Sequence, residues 1–167
     1  LMRNFGFTNF DKTEHIGTNA KMSEFAAAYG LIHFDDLDSI VQYNKRIYEA
    51  YQTEFSSFAE FQILDYSFKG QSNYQYVVAS VPTEIRDPLV KHYHNHGVLV
   101  RRYFYPGCHQ MEPYSSQTKY RDINLPITDK ISSNILILPT GKQMTEINVK
   151  EFSNIYSKFR KIYTNIF

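Results

Sequence analysis

The stretch Asn73–Tyr105, NYQYVVASVPTEIRDPLVKHYHNHGVLVRRYFY, decides the fold. Its first nine residues are rich in β-branched and aromatic side chains, which predicts a strand over Asn73–Val81 that Pro82 ends. Asp87 and Pro88 supply an N-cap and a first-turn proline for a helix over Leu89, Val90 and Tyr93, with Gly97 placed to terminate it at C′. Val98–Tyr105 reads as a second strand. Strand, helix and strand follow one another within 33 residues, the signature of a sheet with a helix packed against it.

Working outward, residues 1–18 read as irregular or short extended pieces. Ser23 caps a short helix through about Leu31. Asp35 or Asp36 caps the next, a long amphipathic helix with apolar positions at Leu37, Ile40, Val41, Ile47, Tyr48, Tyr51 and Phe55. Ser56–Gly70 reads as a loop. On the other side, Gly107–Asp122 is a polar loop too long to be a mere connection. Pro126 opens a short helix toward Asn134, and Ile135–Leu138 is an apolar strand closed by Pro139. Asn148 and Glu151 fit a capping box, followed by a stripe of Val149, Phe152, Ile155, Phe159, Ile162 and Ile166. The expected order is ααβαβαβα, an α/β chain with a small three-stranded sheet, helices on one face of it and two helices before it.

The chain has 167 residues, 43% of them apolar and 21% charged, with a net charge of +1. That is room for one sizeable core, and the charge gives no electrostatic case for a nucleic-acid partner. Cys108 is the single cysteine, which excludes an internal disulfide framework and fits a reducing, cytoplasmic setting. No apolar run reaches the ~20 residues of a membrane span. The 14 Tyr and 13 Phe, with no Trp, recur at helical spacing and are expected mainly in the core.

Several constellations carry possible chemistry. His92, His94 and His96 have no Cys or carboxylate cluster to complete a zinc site, so no metal is expected; exposed histidines near a helix C-terminus explain them. Cys108 and His109 are adjacent, their side chains diverge, and a thiol–imidazole pair is not expected; His109 fits better as a hydrogen-bonding residue of a ligand loop. Arg101 and Arg102, inside the expected strand, would face opposite ways, with one a possible anion contact beside Tyr103–Tyr105. No Gly-rich phosphate loop follows a strand. In Gly17–Glu24, GTNAKMSE, a polar loop carrying Asn19 and Lys21 runs into the small-residue helix, a build that aims an amide and an ammonium at a ligand. Residues alone reach a ligand-contacting α/β module with no identifiable catalytic engine.

Phe5-Gly6-Phe7, GTNAKMSEFAAAYGL (17–31), Asn44-Lys45-Arg46 with Tyr48 and Tyr51, Arg101–His109 (RRYFYPGCH), Glu112-Pro113-Tyr114, Leu125–Thr128 and Leu136–Gly141 (LILPTG) together resemble the sugar-nucleotide aminotransferase family. These are fold-type-I, AHBA-synthase-like enzymes that use pyridoxal 5′-phosphate (PLP). The resemblance runs over essentially the whole chain and implies a mainly antiparallel sheet, as in the C-terminal domain of that fold. It makes residues 1–34 the tail of the large PLP-binding domain and 35–167 the small domain. It also implies that the lysine anchoring the cofactor lies in a preceding domain, that no catalytic residue is in this chain, and that the chain alone is inactive.

Carried over by motif, the resemblance assigns Asn19 to the PLP phosphate of a neighbouring subunit. Lys21 stands where many relatives have Arg, and a point charge is a poorer bidentate partner than a planar fork. Tyr103, Tyr105 and above all His109 are assigned to the substrate. The implied reaction moves an amino group, with glutamate as donor, to a 4-keto-6-deoxy sugar on a nucleotide, most specifically dTDP. The implied partners are a second copy or the N-terminal large domain. A PLP-dependent sugar 3-dehydratase, and a free-standing binding or dimerisation module, are the alternatives.

Overall fold

A computed structural model describes residues 3–66 and 72–163. The chain divides into two compact units, Leu1–Ser39 and Ile40–Phe167. In the first, β1 (Phe7–Asn9) and β2 (Lys12–Thr13) form an antiparallel hairpin, and Asn4 bridges Asn19. Gly6 has φ +77°, and a Cβ there would lie 1.8 Å from the His15 carbonyl oxygen, so only glycine fits this crossing. Helix α1 (Glu24–Asp35) starts at Ser23, whose hydroxyl accepts from the Ala26 N–H at 3.2 Å. It continues past the expected end at Leu31 to Asp35, and Asp36 separates it from α2 (Leu37–Phe55). No residue of α1 is buried, although Phe25, Tyr29, Leu31, Ile32 and Phe34 are all apolar.

The second unit is built on a three-stranded antiparallel sheet, β3 (Gln62–Ile63), β4 (Val77–Ser80) and β5 (Ile135–Leu138), in that order. Val77, Ala79, Leu136 and Leu138 point into one core, while Val78, Ser80, Ile135 and Ile137 on the other face are half-buried. This period-two alternation is what a sheet covered on one face requires. The helices on the buried face are α2, α3 (Thr83–Asn95) and α6 (Glu146–Ile162), with α4 (Thr118–Arg121) and α5 (Pro126–Asn134) between α3 and β5 in the chain. They contribute Ile47, Tyr51 and Phe55, then Ile85, Leu89 and Tyr93, then Val149, Tyr156 and Phe159.

The abundance of tyrosine has a specific use. Buried rings send their hydroxyls to the core margin, where Tyr51 donates to Pro139 O (3.0 Å), Tyr93 to Phe152 O (3.2 Å) and Tyr156 to Glu60 Oε1 (2.9 Å). Each ring therefore supplies apolar area while its hydroxyl ties down a backbone carbonyl or, for Tyr156, the Glu60 carboxylate. Burial holds the Tyr51 and Tyr156 phenols protonated, well above the ordinary tyrosine range.

Four expectations are corrected. Val98–Tyr105 is not a strand: Val98 and Val100 are buried and Leu99 exposed, but only Arg101 bridges Ile137, and the chain then turns, with Phe104 at φ +48°. The third strand is β3, inside the segment read as a loop, where buried Phe61 pins a two-residue pairing. Helix α3 begins at Thr83, not at Asp87; Pro88 lies within it and removes only the bond to Glu84, on the exposed side. Gly97, at φ +75°, does sit where a C′ glycine belongs. The capping box of α6 is formed by Thr145 and Asn148: Asn148 N–H donates to Thr145 Oγ1 (3.3 Å) and Thr145 N–H to Asn148 Oδ1 (3.0 Å). Ile166 of the expected stripe lies outside the described residues, and so do Ser67, Phe68, Lys69 and Gly70 of the expected loop.

His92 and His94 of α3, and His96 at its C-cap, are occupied by the protein itself. His92 Nε2 lies 3.3 Å from Ile155 O, His94 Nε2 2.8 Å from Val100 O, and His96 Nδ1 2.9 Å from His92 O. Burial, then the neighbouring His96 and Lys158 charges, hold His92 below the ordinary histidine range. Folding therefore keeps His92 neutral where the unfolded chain protonates it. Its contribution to stability is complete above about pH 6.5 and declines as pH falls through the lowered value. Urea midpoints measured at pH 7.5 and 5.0 should show this loss in the wild type and a smaller one in His92→Gln; equal losses refute it.

Candidate functional site

Between the end of the Val98–Val100 segment and α5 (Pro126–Asn134) lies an open cleft of about 680 Å³. Aromatic and aliphatic side chains make most of its wall: Tyr103, Phe104, Tyr114, Tyr120, Leu125, Ile127 and Ile131. His109, Cys108, Thr128 and Ser132 provide its polar points. An apolar concavity with a few convergent polar groups is the usual build of a small-molecule site.

The polar floor is set by α5 and by a single 3-10 turn, Cys108–Gln110. His109, whose side chain is 10% exposed, places Nε2 at 3.1 Å from Asp129 Oδ1. Gln110 Nε2 donates to the same oxygen at 2.7 Å. Gly107 has φ +112°, and a Cβ there would lie 3.0 Å from His109 Cε1, so glycine also makes room for the imidazole.

Behind the cleft sits Arg86, 2% exposed. Its Nη1 donates to Ser132 O at 2.9 Å, one of the last carbonyls of α5. Its Nε lies 2.6 Å from Asp87 Oδ1 but off the hydrogen-bonding direction, and makes no hydrogen bond. Its guanidinium carbon lies 4.1 Å from the centre of the Tyr105 ring, and that of Arg102 at 5.0 Å. Ser132 Oγ donates to Pro106 O at 3.4 Å. Arg86 thus joins α3, the end of α5 and the segment leading to His109.

Tyr103 and His109 therefore share the cleft, whereas the Tyr105 ring faces Arg86 and Arg102. The opposite facing expected for Arg101 and Arg102 fails because there is no strand; both are exposed, and among the described residues the buried arginine is Arg86. Sequence reading missed Arg86 and Asp129. Arg86 had a signal: with Val90 and Tyr93 it falls at i, i+4 and i+7, the spacing of the helix's buried stripe.

In the first unit, Asn19 and Lys21 flank the hairpin. The backbone around Asn19 is fixed by Phe5 N–H to Thr18 O (3.2 Å) and Ala20 N–H to Arg3 O (2.9 Å). Lys21 Nζ stands 5.4 Å from the Phe5 ring centre and lines, with Asn4, Phe5, Phe7 and Phe10, a groove of about 470 Å³. Among the described residues, no cluster of three or more His, Cys, Asp or Glu could hold a metal, and no helix is long and apolar enough to cross a membrane.

With these places located, the chain's relatives become informative. Residues 1–156 match the DegT/DnrJ/EryC1/StrS aminotransferase family. The chain belongs to that family. The Shigella dysenteriae dTDP-4-amino-4,6-dideoxy-D-glucose transaminase is 27% identical to it over 164 residues, 96% of this chain and 43% of the relative. A crystal structure of DesI in the presence of its TDP-sugar product superposes with a TM-score of 0.80 at 33% identity, covering 93% of this chain and 40% of DesI. The ntda protein of Bacillus subtilis with bound cofactor PMP superposes with a TM-score of 0.77 at 22% identity, covering 92% of this chain and 37% of ntda, and shows the fold alone. The chain thus spans about two-fifths of the length of these three proteins.

Proposed function

We propose that this chain is the sugar-nucleotide-facing part of a PLP-dependent aminotransferase that converts a dTDP-linked 4-keto-6-deoxy sugar to the amino sugar, with glutamate as amino donor. The observation that carries the reading is the 33% identity and TM-score of 0.80, over 93% of this chain, to DesI solved with its TDP-sugar product. The substrate contacts are His109 and Tyr103 in the cleft, with Tyr105 supporting them from behind. Residues 1–34 are the end of a large cofactor domain and residues 35–167 a small domain, in a protein of the cytoplasm.

The donor chemistry of the first unit fits a PLP phosphate. Asn19 brings an amide and Lys21 an ammonium, both exposed, on a backbone already anchored by the Asn4 bridge. Asn19 would hold the phosphate and Lys21 add charge nearby; PLP, when bound, supplies the electron sink for the transfer. What this chain contributes is orientation: a mostly apolar cleft for the sugar and a fixed imidazole within it. The complete enzyme, given glutamate and dTDP-4-keto-6-deoxyglucose, is expected to yield the dTDP-amino sugar with one 2-oxoglutarate per sugar. Loss of a sugar hydroxyl without amine transfer, or no reaction by cofactor-loaded enzyme, overturns the reading.

The partner is the rest of the aminotransferase, or a second copy of this chain. Helix α1 is apolar around its circumference yet has no buried residue, with Phe25 82% exposed and Phe34 71% exposed. A helix of that kind is normally enclosed on all sides. On its own, the chain is expected to sediment as an oligomer; a strictly monomeric species at micromolar concentration contradicts this.

A further inference from the structure

We propose that Asp129 fixes His109 as a hydrogen-bond acceptor, so that the substrate group it reads is a hydroxyl or amine on the sugar and not the diphosphate. This rests on the reading of His109 as a substrate contact. A carboxylate has no proton to give, so the 3.1 Å contact between Asp129 Oδ1 and His109 Nε2 requires the hydrogen to be on Nε2. A neutral imidazole carries one N–H, which leaves Nδ1 as a lone pair. Gln110 donates to the same Asp129 oxygen at 2.7 Å and keeps the carboxylate from turning away.

His109 and Gly107 both line the cleft, and a Cβ at Gly107 would crowd the ring at 3.2 Å from Nδ1 and 3.0 Å from Cε1, so glycine keeps a side chain off that edge. A lone pair is matched by a sugar O–H or N–H and mismatched by a phosphate oxygen, which at neutral pH only accepts. The other titratable groups on the same cleft are Cys108, Tyr103, Tyr114 and Tyr120. Asp129 is half-buried, opposite His109 in the first turn of α5, and acts through the imidazole as a positioning residue.

The test is long-range ¹H–¹⁵N spectroscopy of the histidine rings in the full 167-residue chain at pH 8.5, well above the ordinary histidine value of about 6.5. His109 is expected as the Nε2–H tautomer, and millimolar dTDP-glucose is expected to move its Nδ1 resonance while dTDP alone does not. In Asp129→Ala the tautomer bias should relax and dTDP-glucose affinity fall about tenfold, the loss of one hydrogen bond to a fixed acceptor. Asp129→Asn, whose carbonyl still accepts from Nε2–H, should retain most of both. An Nδ1–H tautomer, or equal movement by dTDP alone, overturns the proposal. If the Nε2–H tautomer is present but neither nucleotide moves His109, the substrate-contact reading is what fails, and the proposal falls with it.

Discussion

Replacing Phe55 with alanine is expected to cost about 3–5 kcal/mol of folding stability. Phe55 is 1% exposed at the end of α2, and its ring lies 4.4 Å from Phe61, 6.0 Å from Phe58 and Tyr156, and 6.1 Å from Tyr51. Truncation removes the ring around which the others pack, and four large neighbours cannot collapse together to fill the void. Phe61 immediately precedes β3, so the damage reaches the sheet through the residue that pins its shortest strand. Domains are stable by only about 5–15 kcal/mol, so this one change populates unfolded chain measurably. Phe55→Leu, which keeps most of the volume, should cost under about 1.5 kcal/mol. Urea unfolding followed by far-UV circular dichroism decides it; a loss below about 1 kcal/mol in Phe55→Ala would mean that this cluster is not the centre of the core.

Arg86→Ala is expected to cost about 3 kcal/mol and to disorder the Tyr105–His109 segment as well. Two effects oppose one another here. A buried guanidinium pays for its dehydration, and an apolar side chain of similar volume avoids that penalty. Against this, Ser132 O would be left buried without its Arg86 partner, a penalty of about 1–3 kcal/mol, and the contact of Arg86 with the Tyr105 ring would be lost. Asp87 is not stranded by the change, because it is half-exposed and Arg102 Nη1 lies 3.6 Å away. Alanine adds a cavity to the stranded carbonyl, so destabilisation wins. Arg86→Met fills the cavity and should cost only about 1–2 kcal/mol, which isolates the polar part. Hydrogen exchange at residues 103–109 should rise in both variants, more than in α6. Uniform exchange changes throughout the second unit would show that Arg86 acts on the core and not on the segment.

The elements that were legible in the sequence are those whose burial is written in their own periodicity. Ile47, Tyr48, Tyr51 and Phe55 mark the inner face of α2, and Val77, Ala79, Leu136 and Leu138 that of the sheet. What stayed hidden is what depends on a partner. A strand of two residues, Gln62–Ile63, has no period to read; only the register opposite Ala79 and Ser80 defines it. Conversely, Val98-Leu99-Val100 alternates as a strand should, but only Arg101 bridges β5, and the chain turns away at Phe104 without pairing Leu136 and Ile135. At the cleft, His109 was recognisable through the motif around it. Asp129, twenty residues downstream, gains its meaning only when α5 brings it to the 3-10 turn.

The sheet's two margins have a consequence of their own. An open edge is a template on which any extended chain can add a strand, and growth of that kind ends in fibres. Here one margin is β3, too short to seed a ladder. On the other, Arg101 both donates to and accepts from Ile137, at 3.0 and 2.8 Å, which occupies the middle of β5 before the chain turns away. The bridge that failed to become a strand therefore acts as a stopper: it occupies the outer edge of β5, where a late-arriving polypeptide would zip on.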